Sequence, residues 1–222
     1  MSLENAAIES ILKLAEESRG STAPNPPVAA AALDRDGRVL VRDFHRGAGQ
    51  PHAEVLVLDR CRELGILNQI STLLVTLEPC NHLGRTPPCT EAILALPGLK
   101  RVVYGARDPN PHVQGGGAAR LQAAGVRVEG FASAELRARG AALIEPFAKW
   151  SQTGLPWVVI KTAHRSDASM IPPRGQKTFV SYAMIAVAHR LRRESDAIMT
   201  GSGTVLADRP LFYSSYPITP AS

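Results

Sequence analysis

Thr72-Leu-Leu-Val-Thr-Leu-Glu-Pro-Cys80-Asn-His-Leu-Gly-Arg-Thr-Pro-Pro-Cys89 runs from β-branched and aliphatic residues into a proline-bounded loop with a cysteine at each end. Thr72 to Thr76 reads as a strand, and a short helix begins near Cys89. On the N-terminal side, Ile8, Ile11, Leu12 and Ala15 share one helical face, so Leu3 to Arg19 opens the chain as a helix. Val28 to Leu33 and Val39 to Phe44 are strands around the turn signal Asp36-Gly37, and His52 to Leu64 is a helix. On the C-terminal side, Val102 and Val103 lie in a strand, Ala118 to Ala124 in a helix, Val126 to Glu129 in a last strand, and Ala132 to Lys149 in a closing helical region. Gly115, Gly116 and Gly117 lack the lysine and spacing of a phosphate-binding loop and read as a flexible turn. Strands alternating with helices predict a layered α/β domain, a sheet covered on both faces.

His52-Ala53-Glu54 adds an imidazole and a carboxylate to the two thiols. Catalytic zinc usually takes three protein ligands from His and Cys and keeps a fourth position for water, whose pKa falls toward about 7. His52, Cys80 and Cys89 are the expected ligands. Positions two apart on a helix point well apart, so His52 and Glu54 reach one site only from the first turn, which places His52 at a helix start. Helix N-termini also stabilise thiolates, which suits Cys80 and Cys89. Glu54 is then free to take a proton from water and pass it to a departing nitrogen, so the parts fit hydrolytic removal of an amine from a ring carbon. A structural zinc site would ordinarily have four protein ligands and would give the acid no role. Cys61 lies on the same predicted helix but faces away from the metal, as a core residue does.

The run Thr76 to Cys89, following His52-Ala53-Glu54, resembles the deaminase half of the bifunctional pyrimidine deaminase/reductase family of bacterial riboflavin biosynthesis, the RibD family. Eight residues separate Cys80 from Cys89, where related zinc deaminases typically have two. Pro24-Asn25-Pro26, His45 before Gly47-Ala48-Gly49, and Asp108-Pro109-Asn110-Pro111 match as well. The resemblance covers about residues 3 to 150. It implies a cytidine-deaminase-like three-layer α/β/α sandwich, zinc, and a small pyrimidine ribosyl phosphate substrate that loses an exocyclic amine. The matching substrate-contact positions are Asn25, His45, His82, Arg85, Asp108 and Asn110. Arg85 can pair with a phosphate, His82 and Asn25 can bond phosphate or ring edge, and Asp108 can accept from ribose hydroxyls. The family usually has Asn-Pro-x-Val-Gly where this chain has Asn25-Pro26-Pro27-Val28-Ala29, and glycines usually precede the histidine matched by His45. The extra methyl of Ala29 leaves the pocket near the first two strands open to change.

A polar joint, Ser151 to Pro156, ends the first domain at about residue 150. Beyond it, Pro156-Trp157-Val-Val-Ile-Lys161, Ser181, Arg190 to Ile198 and Gly201-Ser-Gly203-Thr204 to Asp208 resemble the start of the family's dihydrofolate-reductase-like α/β domain. That implies reductase-like positions at Lys161, Asp167, Ser181, Gly201, Gly203, Thr204 and Asp208, with NADP(H) relevant only to a complete reductase domain. Residues 151–222 fall far short of that domain, so reduction is expected to be absent or incomplete. The family's Ser-Leu-Asp-Gly stands here as Arg165-Ser166-Asp167-Ala168. Met184, Val187, Ala188 and Leu191 form a helical stripe after the cap Ser181 and read as core. An incomplete sheet would leave apolar surface exposed, so self-association is expected.

The chain has 222 residues, an apolar share of 45% and a net charge of +5. Residues 1–150 carry 17 Lys and Arg against 16 Asp and Glu, which leaves no basic track for a nucleic-acid backbone. No secretory signal opens the chain and no apolar run approaches membrane-spanning length. Three cysteines, two of them committed to metal, argue against a disulfide framework and for the cytoplasm.

Overall fold

The alternation of buried side chains along each central strand sorts the apolar residues into two cores, one on each face of a single sheet. The computed structural model describes residues 2–96, 98–110, 116–176 and 178–212. It divides into two compact units, Met1–Trp157 and Val158–Ser222.

In the first unit, strands β1 (Ala29–Leu33), β2 (Val39–Phe44), β3 (Thr72–Leu77), β4 (Arg101–Ala106) and β5 (Arg127–Gly130) form one sheet in the order β2-β1-β3-β4-β5. β1 is antiparallel to both neighbours, whereas β3, β4 and β5 run parallel. Helices α1 (Leu3–Glu17) and α5 (Ala134–Thr153) have their buried faces in one core, with Ala29, Ala31, Leu33, Leu74 and Val103. Helices α2 (Ala53–Glu63), α3 (Cys89–Leu94) and α4 (Gly116–Ala123) share the other with Ala30, Ala32, Leu73, Val75 and Val102. The result is the expected three-layer sandwich. Cys61 is fully buried in the second core. Ala29 is fully buried in β1, so its methyl is packed into the first core. Gly105 is a close-approach position: a Cβ there would lie 2.6 Å from the Thr76 carbonyl oxygen and 2.8 Å from the Phe131 ring.

Several bounds differ from the sequence reading. The closing helix runs on through Ser151, Gln152 and Thr153 and stops at Gly154, whose φ of 68° is the left-handed C-terminal turn that glycine favours. A 3-10 turn at Leu67–Gln69, unmarked by any periodicity, bridges α2 and β3. The glycine run is the larger correction. Gly115 lies outside the described residues, but Gly116 and Gly117 form the first turn of α4 rather than a flexible turn.

The second unit holds α6 (Tyr182–Arg193) and α7 (Ser202–Asp208). Its described residues include no strand and no fully buried side chain. The α6 stripe is therefore not core: Met184 is exposed, and Val187, Ala188 and Leu191 are half-covered. Ile160, Met199 and Leu206 are more than four-fifths exposed. Ala168, where the resembled family has glycine, takes a φ of 63° inside the turn closed by Ala168 N–H on the Arg165 carbonyl at 3.0 Å. Among the described residues, no helix is long and apolar enough to cross a membrane.

Candidate active site

The loops after the parallel strands β3 and β4 meet the starts of α2 and α3 at one end of the sheet, where open α/β folds bind ligands. His52 is the N-cap of α2, extended at φ −71° and ψ 161°, and Glu54 falls in that helix's first turn. Cys80 follows β3, and Cys89 is the first residue of α3.

His52, Cys80 and Cys89 offer ligand atoms that all lie within 4.8 Å of one another. Nδ1 of His52 is 3.2 Å from the Cys89 sulfur and 3.5 Å from the Cys80 sulfur. Tetrahedral zinc with ordinary Zn–S and Zn–N bonds separates such donors by about 3.5 Å, so this set fits the metal. Among the described residues, the cluster has no fourth His, Cys, Asp or Glu donor. Zinc would be held by these three side chains.

Protons are unevenly shared between the thiols. Cys80 accepts from the Cys89 thiol, from His52 and from the Cys89 backbone N–H at 3.3 Å, which together hold its pKa down to about 4. Cys89, buried and donating to Cys80, has its pKa pushed up. Hydrogen bonding to Cys80 raises the His52 pKa. Metal uptake must then expel the Cys89 proton. Glu54 is 3% exposed, and burial raises its pKa.

Neighbouring hydrogen bonds position the two thiols. The Thr90 N–H donates to the Cys80 carbonyl at 3.2 Å, and Asn81 Oδ1 accepts from the Thr90 hydroxyl at 2.9 Å and from Arg120 at 2.8 Å. Three contributors went unassigned in the sequence. Glu78 is buried, and its Oε1 accepts the Ala118 N–H at 3.1 Å, while its Oε2 has no partner among the described residues. Gly117 sits beneath Pro79 so closely that a Cβ would lie 1.8 Å from the Pro79 carbonyl oxygen. A glycine run with no phosphate-loop lysine was the only trace of that contact. Thr86 also contributes, its hydroxyl lying 3.5 Å from His52 Nε2.

The expected substrate positions divide into three groups. Asn25 and His45 are joined, Asn25 Nδ2 to His45 Nε2 at 3.0 Å, and the His45 ring meets the His52 ring edge-on with centroids 5.3 Å apart. Burial lowers the His45 pKa. Asp108 is buried after β4, with its pKa raised by that burial, and its Oδ1 accepts the Asn110 N–H at 2.9 Å. Its field is felt from His82 and Cys80, which puts it at the same end of the sheet. His82 and Arg85 are exposed on the loop between the two cysteines.

Among the described residues, the reductase-like positions form no comparable cluster. Lys161 is exposed, Asp167 pairs with Arg165 at 3.2 Å, and Ser181 caps α6 by accepting the Met184 N–H. Gly201 is the N-cap of α7, which contains Gly203 and Thr204. A Cβ at Gly201 or Gly203 would meet open space, so neither glycine marks a close approach. The Asp208 side chain lies outside the described residues.

Fold and donor set together define a class. Residues 1–106 match the cytidine and deoxycytidylate deaminase zinc-binding region, the class of zinc domain to which the first unit is similar. Among curated proteins, the chain is 39% identical over 201 residues to the riboflavin biosynthesis protein RibD of Aquifex aeolicus, covering 90% of this chain and 54% of that protein. It is 40% identical to RibD of Escherichia coli over 201 residues, covering 90% of this chain and 52% of that one. The Thermotoga maritima structure described as a diaminohydroxyphosphoribosylaminopyrimidine deaminase/5-amino-6-(5-phosphoribosylamino)uracil reductase matches at TM-score 0.83 and 35% identity, over 94% of this chain and 58% of that one. The chain is similar to the RibD proteins and spans about half the length of the curated relatives it matches.

Proposed function

We propose that the chain hydrolytically deaminates a diamino-ribosylamino-pyrimidinone 5'-phosphate, a step of riboflavin biosynthesis. The observation that carries this reading is a His52, Cys80 and Cys89 donor set at zinc spacing with the buried Glu54 beside it. The eight-residue insertion between the cysteines and the RibD relatives support the substrate class.

When bound, zinc supplies a Lewis acid that lowers the pKa of a water ligand. Glu54 accepts the proton that the water gives up and delivers it to the departing amine. Its burial favours the protonated carboxyl, which makes it able to hold that proton between the two transfers. Asp108 accepts from the ribose hydroxyls, Asn25 bonds the phosphate or the ring edge, and the exposed Arg85 pairs with the phosphate. The chain's own part in the chemistry is to present the amine-bearing carbon, exclude bulk water at Glu54 and move one proton.

No reductase activity is assigned to residues 158–212, because their described part contains neither a strand nor a buried core on which to orient a nicotinamide cofactor. A sheet-poor unit with exposed Ile160, Met199 and Leu206 fits self-association of the chain. Three free thiols fit a reducing compartment.

The test is ammonia release from the diaminopyrimidinone nucleotide by zinc-loaded chain. Glu54→Gln is expected to keep zinc and lose at least about 100-fold in rate, and Cys80→Ser to lose both zinc and rate. Equal rates for wild type and Glu54→Gln would remove Glu54 from the mechanism.

A further inference from the structure

Eight residues separate Cys80 from Cys89, and that spacing leaves the distance between the two sulfurs undetermined. Cysteines within one turn of a helix are held by the helix itself, whereas a stretch of this length can span up to about 30 Å. The intervening loop supplies little bracing of its own. His82, Leu83, Gly84, Arg85 and Pro87 are exposed, and the backbone hydrogen bond inside it, Gly84 N–H to the Thr86 carbonyl at 3.3 Å, closes a span of only two residues. Something outside the loop must set how far apart the thiols stand.

The brace lies on the residue that follows each cysteine. Asn81 follows Cys80, and the fully buried Thr90 follows Cys89. The Thr90 hydroxyl donates to Asn81 Oδ1 at 2.9 Å, and the Thr90 N–H donates to the Cys80 carbonyl at 3.2 Å. A third member reaches in from α4, thirty or more residues along the chain: Nη1 of Arg120 lies 2.8 Å from Asn81 Oδ1 and 3.3 Å from the Thr90 hydroxyl oxygen. A guanidinium has hydrogens to give and no lone pair to accept with. The triangle therefore balances, with Arg120 donating twice, Thr90 accepting once and donating once, and Asn81 accepting twice. Its third corner is itself seated on the same segment, because Gly117 packs beneath Pro79 and the Ala118 N–H donates to Glu78. The Glu91 carboxylate, 4.0 Å from Arg120, belongs to an exposed pair and adds little.

We infer that Arg120 is a positioning residue for the metal centre: by tying the residue after Cys80 to the residue after Cys89, it sets the separation of two thiols that their own loop leaves free. Arg120 touches neither metal nor substrate. The inference rests on the reading of His52, Cys80 and Cys89 as metal donors and is independent of which amine the chain removes.

The test needs no turnover. Zinc affinity by chelator competition and the absorption spectrum of the cobalt(II)-loaded chain are compared for wild type and Arg120→Met, a straight side chain that suits a helix. The zinc-saturated variant is expected to keep the wild-type circular dichroism, to bind zinc about 10- to 100-fold more weakly, and to broaden or shift the cobalt ligand-field bands, which report the geometry of the sulfur and nitrogen donors. Affinity within about twofold of wild type with an unchanged cobalt spectrum would overturn the inference, and so would a lost circular dichroism signal, which would make the role one in the fold at large. Glu91→Gln should bind zinc as wild type does; a loss equal to that of Arg120→Met would assign the effect to the ion pair instead. In an Asn81→Ala background, Arg120→Met should cost no more than about twofold further, because the guanidinium acts through Asn81 and Thr90. Multiplied losses would mean that it acts by another route, and would sink the inference. A wild-type chain that takes up neither zinc nor cobalt would defeat the metal reading itself, whereas equal binding by wild type and Arg120→Met defeats this inference alone.

Discussion

Replacing Gly117 with alanine is expected to damage the metal site from outside it. The new Cβ would sit 1.8 Å from the Pro79 carbonyl oxygen and 3.0 Å from its carbon, both backbone atoms that no rotamer change can move. Restoring ordinary van der Waals contact, which begins at 3.4 Å, requires a shift of about 1.6 Å between the start of α4 and the loop that carries Cys80. Metal sites tolerate displacements of about 0.2 Å in ligand distance, so the Cys80 sulfur cannot keep its place relative to His52 if the loop absorbs the shift. If α4 moves instead, the Ala118 N–H leaves the buried Glu78 carboxylate. Overpacking of this kind costs about 2 kcal/mol, or roughly 4 to 8 °C in melting temperature for a unit of this size. Zinc affinity, measured by chelator competition, should fall by about 10- to 100-fold. Gly116→Ala is the matched control, since its Cβ would meet only Asn81 at an ordinary 3.6 Å. A Gly117→Ala chain that melts with the wild type and binds zinc within twofold of it would refute the close-approach argument.

Glu129 pairs with Arg101, which also reaches Glu4, and this hydrogen bonding holds the Glu129 carboxyl below its usual pKa. A depressed folded-state pKa stabilises the fold above the unfolded value and loses that contribution as the pH falls through the folded one. Glu129→Gln should therefore melt below the wild type at pH 7, and the gap should close on acidification below the carboxylate range; a gap that persists in acid would assign the effect to packing. The exposed Ile160, Met199 and Leu206 are expected to drive association at micromolar concentration, reduced by Met199→Lys with Leu206→Glu. Sedimentation as a monomer across that range would remove the proposal.

Much of the site was legible because its constraints are local. Two residues that must serve one point from positions two apart have to straddle a helix start, and His52 and Glu54 do so. The covered sheet was likewise legible, because strands alternating with helices imply layers, whereas the face taken by each residue of β1 and β3 was not, since both strands are buried along their whole length. The second unit was less legible: the α6 stripe has helical spacing, yet spacing carries no information about whether anything packs against it.

The sequence by itself determined which atoms could bind zinc, which carboxylate could move a proton, and that a sheet lies between two helical layers, since these follow from residue chemistry and short-range periodicity. Only the tertiary structure decided that Gly117 must be glycine, that Glu78 is buried at the start of α4, and that His45 spends both nitrogens on Pro51 and Asn25. Each of these rests on a contact between segments distant along the chain, where the meaning of a residue is set by the atom that folding brings against it.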